Sequence, residues 1–297
     1  MCLFWGTTYL AIRMSLEAFP PLVLVAVRFL VSGALLTLFA RARGLYLPRG
    51  RELASNALSG VLLLGIGNTC LVFAELWVPS GIAGLITTIS PFWLVGVEAL
   101  LPGGERLRAP IIGGMIVGLL GASLLFTADL TANAIDRRLL DGFLILQLGM
   151  ASWSFGSIYQ RRRIGKAHSV VAGGVQQLAA GLVLLPFALA IPEEPVRWSA
   201  RGVAALLYLV CFGSIVGYSA YIYVMDRLPV AVVSIYSYVN AIVAVALGWL
   251  FYREPFGVKE AAAMAVIFAA VAVVKRYAPA APNPDRPLSR PALRPPR

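Results

Sequence analysis

The chain is poor in charge and in side chains that do chemistry. Only 13% of its 297 residues are charged, with a single histidine, His168, and three cysteines. Cys2, Cys70 and Cys211 show neither metal-ligand spacing nor a paired pattern and read as small apolar packing residues. His168 falls in a basic loop, where solvation accounts for it. No G-x-x-x-x-G-K-[ST] loop occurs, so ATP is not the direct energy source by that route. The pattern implies no metal and no cofactor.

Apolar residues fill the space. They make up 59% of the chain, and the mean hydropathy is +0.81. A bilayer core of about 30 Å needs about 20 apolar residues per helix. Stretches of that size recur at approximately 2–19, 22–40, 56–78, 80–101, 109–127, 142–160, 169–191, 201–225, 229–251 and 258–274. The runs are continuous, without the alternation of a barrel strand, and a lipid-facing span must satisfy its backbone internally. The expectation is an all-α membrane protein of ten transmembrane helices.

The net charge of +11 does not call for nucleic acid, because the basic residues sit in short loops between spans. Arg41, Arg43, Arg49, Arg51, Arg106, Arg108, Arg161, Arg162, Arg163, Lys166, Arg227, Lys275 and Arg276 fall on one side. Arg137, Arg138, Arg197, Arg201, Arg253 and Lys259 fall on the other, diluted by acids, a bias of thirteen against six. The basic side faces the cytoplasm, and both termini are expected there. Residues 279–297 carry seven prolines and four arginines and read as a disordered cytoplasmic tail beside anionic lipid.

The two halves of the chain resemble each other in order. Trp5 matches Trp153, and eight residues later Arg13 matches Arg161. Arg28 aligns with Gln176, Gly67 with Gly217, Pro79 with Pro229 and, after a one-residue offset, Glu105 with Glu254. Five spans per copy is an odd number, so the second copy enters the membrane from the opposite side. Such an inverted-topology repeat suits alternating access in secondary transporters. The expected organisation is a first five-helix repeat over 1–128, an outer connecting loop over 129–141, a second repeat over 142–276 and the tail over 277–297. Trp153 lies about twelve residues into its span and Trp5 only four from Met1. The first helix therefore reads as clipped by roughly seven or eight residues against the length needed to cross, with a start codon expected upstream.

Trp5-Gly6-Thr7-Thr8-Tyr9 followed by Pro20-Pro21 and Arg28-Phe29 is similar to the opening of the EamA-like family of the drug/metabolite transporter superfamily. Ala74 to Ala83 (AELWVPSGIA) resembles its turn between the third and fourth spans. Ser90-Pro91 with Glu105-Arg106-Leu107, and Tyr238-Val239-Asn240 with Gly248-Trp249-Leu250 and Arg253-Glu254-Pro255, resemble the ends of its two repeats. The resemblance covers about residues 3–276. It implies ten helices, the bacterial inner membrane, and movement of small metabolites, often amino acids or drugs, usually outward. Ala241 departs from the pattern, standing where the family usually has proline; Pro91 survives in span four as a helix-kinking residue.

Polar residues inside spans mark a pathway by default. Arg28 lies seven residues past Pro21, about 10 Å deep, and Glu75 four residues before Pro79, about 6 Å deep on the same side. The two are expected either to pair or to take the carboxylate and the ammonium of one zwitterion. Asn68 shares a helix face with Glu75, Tyr236 with Asn240, and Tyr218 with Tyr221, while Ser90 and Trp93 flank Pro91. With Trp5, Tyr9, Trp153 and Gln176 these residues could line a mostly apolar cavity with aromatic walls; each alone also fits an interhelical hydrogen bond. Gly113, Gly114, Gly118 and Gly121 form a small-residue face for close helix packing, within the chain or across a homodimer. Glu98, Glu105 and Glu254 near span ends are expected to pair with Arg106 or Arg253.

The residues point to a small-molecule transporter in the lipid bilayer, secondary active or facilitative and exporting small metabolites. An organophosphate or nucleotide-sugar exchanger wants several cations in the cavity, and only Arg28 qualifies. An intramembrane lipid enzyme lacks clustered carboxylates or histidines. A non-transporting scaffold would not require polar residues at matching depth in both copies.

The charge bias predicts the topology. Reporter fusions after Gly44, Gly165 and Ala278 are expected to report cytoplasm, and fusions after Ala132 and Glu194 the far side. A periplasmic signal at Gly165 contradicts the inverted repeat.

Overall fold

The structure is a computed structural model and describes residues 2–101, 108–124, 137–162, 167–227, 236–254 and 256–277. Among these there is no strand. The helices are α1 Cys2–Leu16, α2 Pro21–Ala42, α3 Gly50–Ala74, α4 Ser80–Leu100, α5 Ala109–Ser123, α6 Arg137–Arg162, α7 Ser169–Ala190, α8 from Ala200 to Arg227, α9 Tyr236–Tyr252 and α10 Val258–Tyr277. Six of them, α2, α3, α4, α6, α7 and α8, are long and apolar enough to cross a membrane. Large apolar side chains such as Leu38, Leu100, Leu148, Leu189 and Trp249 point outward, as lipid-facing surfaces require.

Boundaries follow local chemistry. Pro21 opens α2, where the missing N–H is no loss. Ser199 caps α8 by accepting from Gly202 N at 3.0 Å. His168 has the same role at α7, accepting from Val170 N at 3.3 Å, a part its solvated loop position did not suggest. α6 begins at Arg137, so Asp141 is helical and the connecting segment ends earlier than the composition implied. Residues 125–136, Glu105, Arg106, Pro229 and the tail from 278 lie outside the described residues. In α4 the helix tightens to a 3₁₀ turn over Thr87–Ile89 immediately before Pro91. Pro91 has no N–H to give the Thr87 carbonyl, and the Ser90 N–H takes that acceptor instead.

Packing runs between the two halves in a repeated order. α2 lies along α7, α5 along α10, and α4 against α9. α1 lies against α8 and α9; in the other half, α6 lies against α3 and α4. Close approach depends on glycine at a few of these seams. A Cβ on Gly33 of α2 would stand 2.5 Å from Leu178 N of α7, and one on Gly181 of α7 would stand 2.8 Å from Leu30 N of α2. Three glycines of the α5 face are covered within the chain: Gly114 meets Val274 and Ala270, Gly118 meets Phe92, and Gly121 meets Val266. Gly113, the fourth glycine of that face, is exposed, with nothing within 4 Å of where its Cβ would stand.

Both halves carry a π-helical stretch in their third helix, Val61–Asn68 in α3 and Leu209–Tyr218 in α8. Such widened turns cluster at functional sites. Here they flank the central cavity.

Candidate functional site

A cavity lies about halfway along the helices, between the two halves. About 850 Å³ of space, open solvent at its mouth included, lies between its walls. Its walls come from α1, α2, α3, α4, α6, α7, α8 and α9.

Two tryptophans fix its aromatic side, each through a glycine of the opposite half. Trp5 of α1 lies over Gly217 of α8, where a Cβ would stand 2.6 Å from Nε1. Its Nε1 donates to the Gly213 carbonyl at 3.0 Å. Trp153 of α6 lies against Gly67 of α3, 3.4 Å from where a Cβ would stand. Both glycines belong to the π-helical stretches. The two indoles meet edge to face at 5.6 Å, and Trp5 meets Tyr236 the same way at 5.1 Å, geometries that aromatic quadrupoles favour.

The polar side is built on Arg28 of α2. Its side chain is buried, with 4% of the residue exposed. Nε donates to Ser214 Oγ at 2.8 Å and Nη1 to Asn68 Oδ1 at 3.2 Å. No carboxylate oxygen lies within 4 Å of it among the described residues. Gly213 makes room for it, since a Cβ there would stand 3.0 Å from Nη2.

Of the residues singled out from sequence, Trp5, Tyr9, Arg28, Asn68, Ser90, Trp153, Tyr218, Tyr236 and Asn240 all line this cavity. Four do not. Trp93 turns to α6 and donates to Gln147 Oε1 at 2.9 Å. Tyr221 stands behind Trp153, taking its indole N–H at 3.2 Å and meeting Ser157 Oγ at 2.7 Å. Gln176 is buried in a separate network, accepting from Tyr218 Oη at 2.5 Å and donating to Gln160 at 3.2 Å. Its neighbour Gln177 lines the cavity instead, accepting from Ser32 Oγ at 2.5 Å and donating to the Ser214 carbonyl.

Glu75 is the largest departure. It caps the end of α3, fully buried, and does not line the cavity. Arg28 makes no ion pair with it within 4 Å. Neither carboxylate oxygen has a hydrogen-bond partner, although Arg13 Nη1 bonds its backbone carbonyl at 2.7 Å. Arg28 and Glu75 interact electrostatically without an ion pair inside 4 Å, and Glu75 is not among the residues that line the cavity.

Sequence reasoning passed over Thr8, Thr87, Ser214 and Ser237, all in the cavity wall. Thr8 is one turn from Trp5, Thr87 one turn before Ser90 and Ser214 one turn before Tyr218, so helical spacing from chosen residues carried the signal.

Beyond Glu75, a polar layer ties the halves together. Glu254 does not pair with its neighbour Arg253. Its Oε1 accepts from Ser80 N and Oγ, each at 2.8 Å, and its Oε2 from Gly81 N at 2.7 Å. A carboxylate of the second half thereby caps the α4 N-terminus of the first. Arg253 adopts a left-handed φ of 51° at the turn that carries it, and Gly248 leaves space for the carboxylate. Beside it, Tyr252 donates to Glu17, and Arg201 reaches Tyr252 Oη at 3.1 Å and Glu17 at 3.6 Å. Glu98 pairs with Arg162 at 2.8 Å; Arg106, the neighbour expected of it, lies outside the described residues.

Comparison with known proteins agrees with this architecture. The model of the EamA-like transporter family matches residues 1–127 and 140–276. A protein named uncharacterized inner membrane transporter YedA, from Escherichia coli strain K12, is 37% identical over 273 residues, covering 91% of this chain and 86% of that one. One from Salmonella typhimurium named a probable amino-acid metabolite efflux pump is 23% identical, covering 72% of each. A solved crystal structure superposes with a TM-score of 0.67 at 22% identity, covering 92% of this chain and 94% of that one, a likeness of fold.

The separation of Arg28 from Glu75 is testable by stability in detergent. Arg28→Met strips two charged hydrogen bonds and is expected to cost about 1–3 kcal/mol. Glu75→Gln, which breaks no side-chain bond, is expected to leave the melting temperature unchanged or raised. The swap Arg28→Glu with Glu75→Arg is expected to be at least as destabilised as the two single changes combined. A double variant more stable than either single one would show a direct pair.

Proposed function

We propose that this chain, which belongs to the EamA-like transporter family, exports small amphipathic metabolites across the inner membrane by alternating access. Amino acids and other amphipathic compounds are the candidate cargo. The observation that carries the reading is the cavity: half-way along the helices, between the halves, with one cation, a few hydrogen-bonding groups and aromatic walls. The name of the Salmonella relative supports amino-acid metabolites as cargo and outward direction.

In this reading the chain is two inverted five-helix repeats, 1–128 and 142–276, with both termini in the cytoplasm. The exchanged packing of α1 on α8 and α9, and of α6 on α3 and α4, supports it. So do the paired π-helical stretches and the charge bias of the loops. Two copies related in this way hold two conformations of similar energy, and swapping them moves the open side of the cavity. Arg28, Asn68 and Ser214 orient the cargo, and Trp5, Trp153, Tyr218 and Tyr236 bury its apolar part. Glu254 on Ser80 and Gly81 is the latch of the outer side, made across the halves and broken when that side opens. Its three hydrogen bonds are charge-assisted and near the low end of the distance range, so the latch is strong enough to hold but small enough to exchange.

The test is reconstitution. The purified full chain in proteoliposomes is expected to move at least one member of a panel of small amphipathic metabolites saturably, measured with and without a pH gradient. Arg28→Ala is expected to cut that rate at least about tenfold at equal reconstitution. A panel that moves no faster than through protein-free vesicles would overturn the reading.

A further inference from the structure

Resting on the transport reading, we propose a charge class for the cargo: the cavity takes an aromatic monocarboxylate without an amine, in preference to a zwitterionic amino acid. The carboxylate would sit on Arg28 and the ring against Trp5, Trp153, Tyr218 and Tyr236.

Arg28 has hydrogen-bond donors left over. A guanidinium has five N–H groups. One on Nε goes to Ser214 and one on Nη1 goes to Asn68. Three remain, on a group that is buried, borders the cavity and has no carboxylate within ion-pair distance among the described residues. A buried charge left unpaired is costly, and a planar fork of donors matches a carboxylate in two parallel bonds. Ser214 on Nε and Asn68 on Nη1 hold the guanidinium at two of its three nitrogens, so it is positioned before anything binds.

The second part concerns what an ammonium would meet. No Asp or Glu lines the cavity among the described residues; Glu75, outside the lining, interacts electrostatically with Arg28 but offers no contact to a ligand there. The neutral acceptors are largely engaged. Asn68 Oδ1 and Ser214 Oγ accept from Arg28, Gln177 Oε1 accepts from Ser32, and Thr87 Oγ1 is bonded to Tyr9 Oη at 2.7 Å. An ammonium would give up its water for few partners and would share the cavity with Arg28. Aromatic faces attract cations, but by less than desolvating an ammonium costs.

The third part is count. Arg28 is the one cation in the cavity wall among the described residues. A dianion such as a phosphate monoester would be left half neutralised, whereas a monocarboxylate is matched. The ring then has two indoles and two phenols, with both indole N–H groups already spent on Gly213 and Tyr221, so the surfaces offered are apolar.

The experiment compares four ligands that share one ring and differ in charge: phenylacetate, phenylalanine, phenethylamine and phenylacetamide. Binding to the purified full chain is read by calorimetry. Phenylacetate is expected to bind at least about tenfold tighter than each of the others. Arg28→Met is expected to reduce that advantage to within about threefold, because phenylacetate loses a charged acceptor's bonds and phenylacetamide only a neutral one's. If Arg28→Met does not fold, Ser214→Ala, which releases the Nε donor, is expected to weaken phenylacetate selectively. Equal or tighter binding of phenylalanine or phenethylamine would overturn the proposal, and so would binding of none of the four. The broad proteoliposome panel judges transport separately. A panel member that moves, without carboxylate preference in the ring series, removes only this inference. Phenylacetate bound through Arg28 in a chain that moves nothing removes the transport reading and leaves the site.

Discussion

The contact on which the arrangement depends is reciprocal: the tryptophan that opens each half lies on a glycine in the other. Trp5 needs Gly217, where any side chain would occupy the ring's place; at Gly67 a Cβ would meet the Gly149 and Leu62 carbonyls at 3.2 and 3.3 Å and Trp153 Cβ at 3.4 Å. The two glycines sit in the π-helical stretches, where the widened turn shifts the register of α3 and α8. The contact brings α1 onto α8 and α6 onto α3, and with them the α2–α7 seam that carries Arg28 and Gln177 side by side into the wall of one cavity, both bonded to Ser214. Bilayer lipid gives no hydrophobic reason for helices to associate, so tight van der Waals seams of this kind do the holding.

Much of this was legible in the residues. Span count, helix order and the membrane class follow from apolar run length, because a bilayer fixes that length. The cavity was legible wherever an expensive residue, such as Arg28 or Asn68, stood in an apolar run. It failed for three physical reasons. Glu75 shares the face of Asn68 but lies two turns further along, about 10 Å, and is not among the residues that line the cavity. Gln176 and Gln177 differ by about 100° around the helix, and an alignment of halves cannot say which one faces inward. Trp93 and Tyr221 found nearer partners in α6, a tertiary fact with no local signal. The role of Glu254 was hidden for a related reason. Sequence proximity suggested Arg253, but a left-handed turn aims the carboxylate at α4.

The site and the latch divide the polar residues between two tasks. Arg28, Asn68, Ser214 and Gln177 hold each other rigidly around the cavity, which suits recognition. Glu254, Glu17, Arg201 and Tyr252 join the ends of helices from different halves, which suits a contact that forms in one state only. In the proposed cycle the cavity residues keep their partners while the latch residues change theirs.

Alternating access requires α4 and α9 to part near the latch, and a covalent bond there tests the requirement most directly. A Cβ on Gly81 would stand 3.1 Å from Val245 Cα, 3.6 Å from Val245 Cγ2 and 3.0 Å from Glu254 Oε2, so the two helices meet here beside the latch. The measurement is transport in proteoliposomes by Gly81→Cys with Val245→Cys, in a chain whose Cys2, Cys70 and Cys211 are serine. Once mass spectrometry shows the bridge formed, transport is expected to fall to the level of protein-free vesicles and to return on reduction. Undiminished transport by the bridged protein would contradict the account.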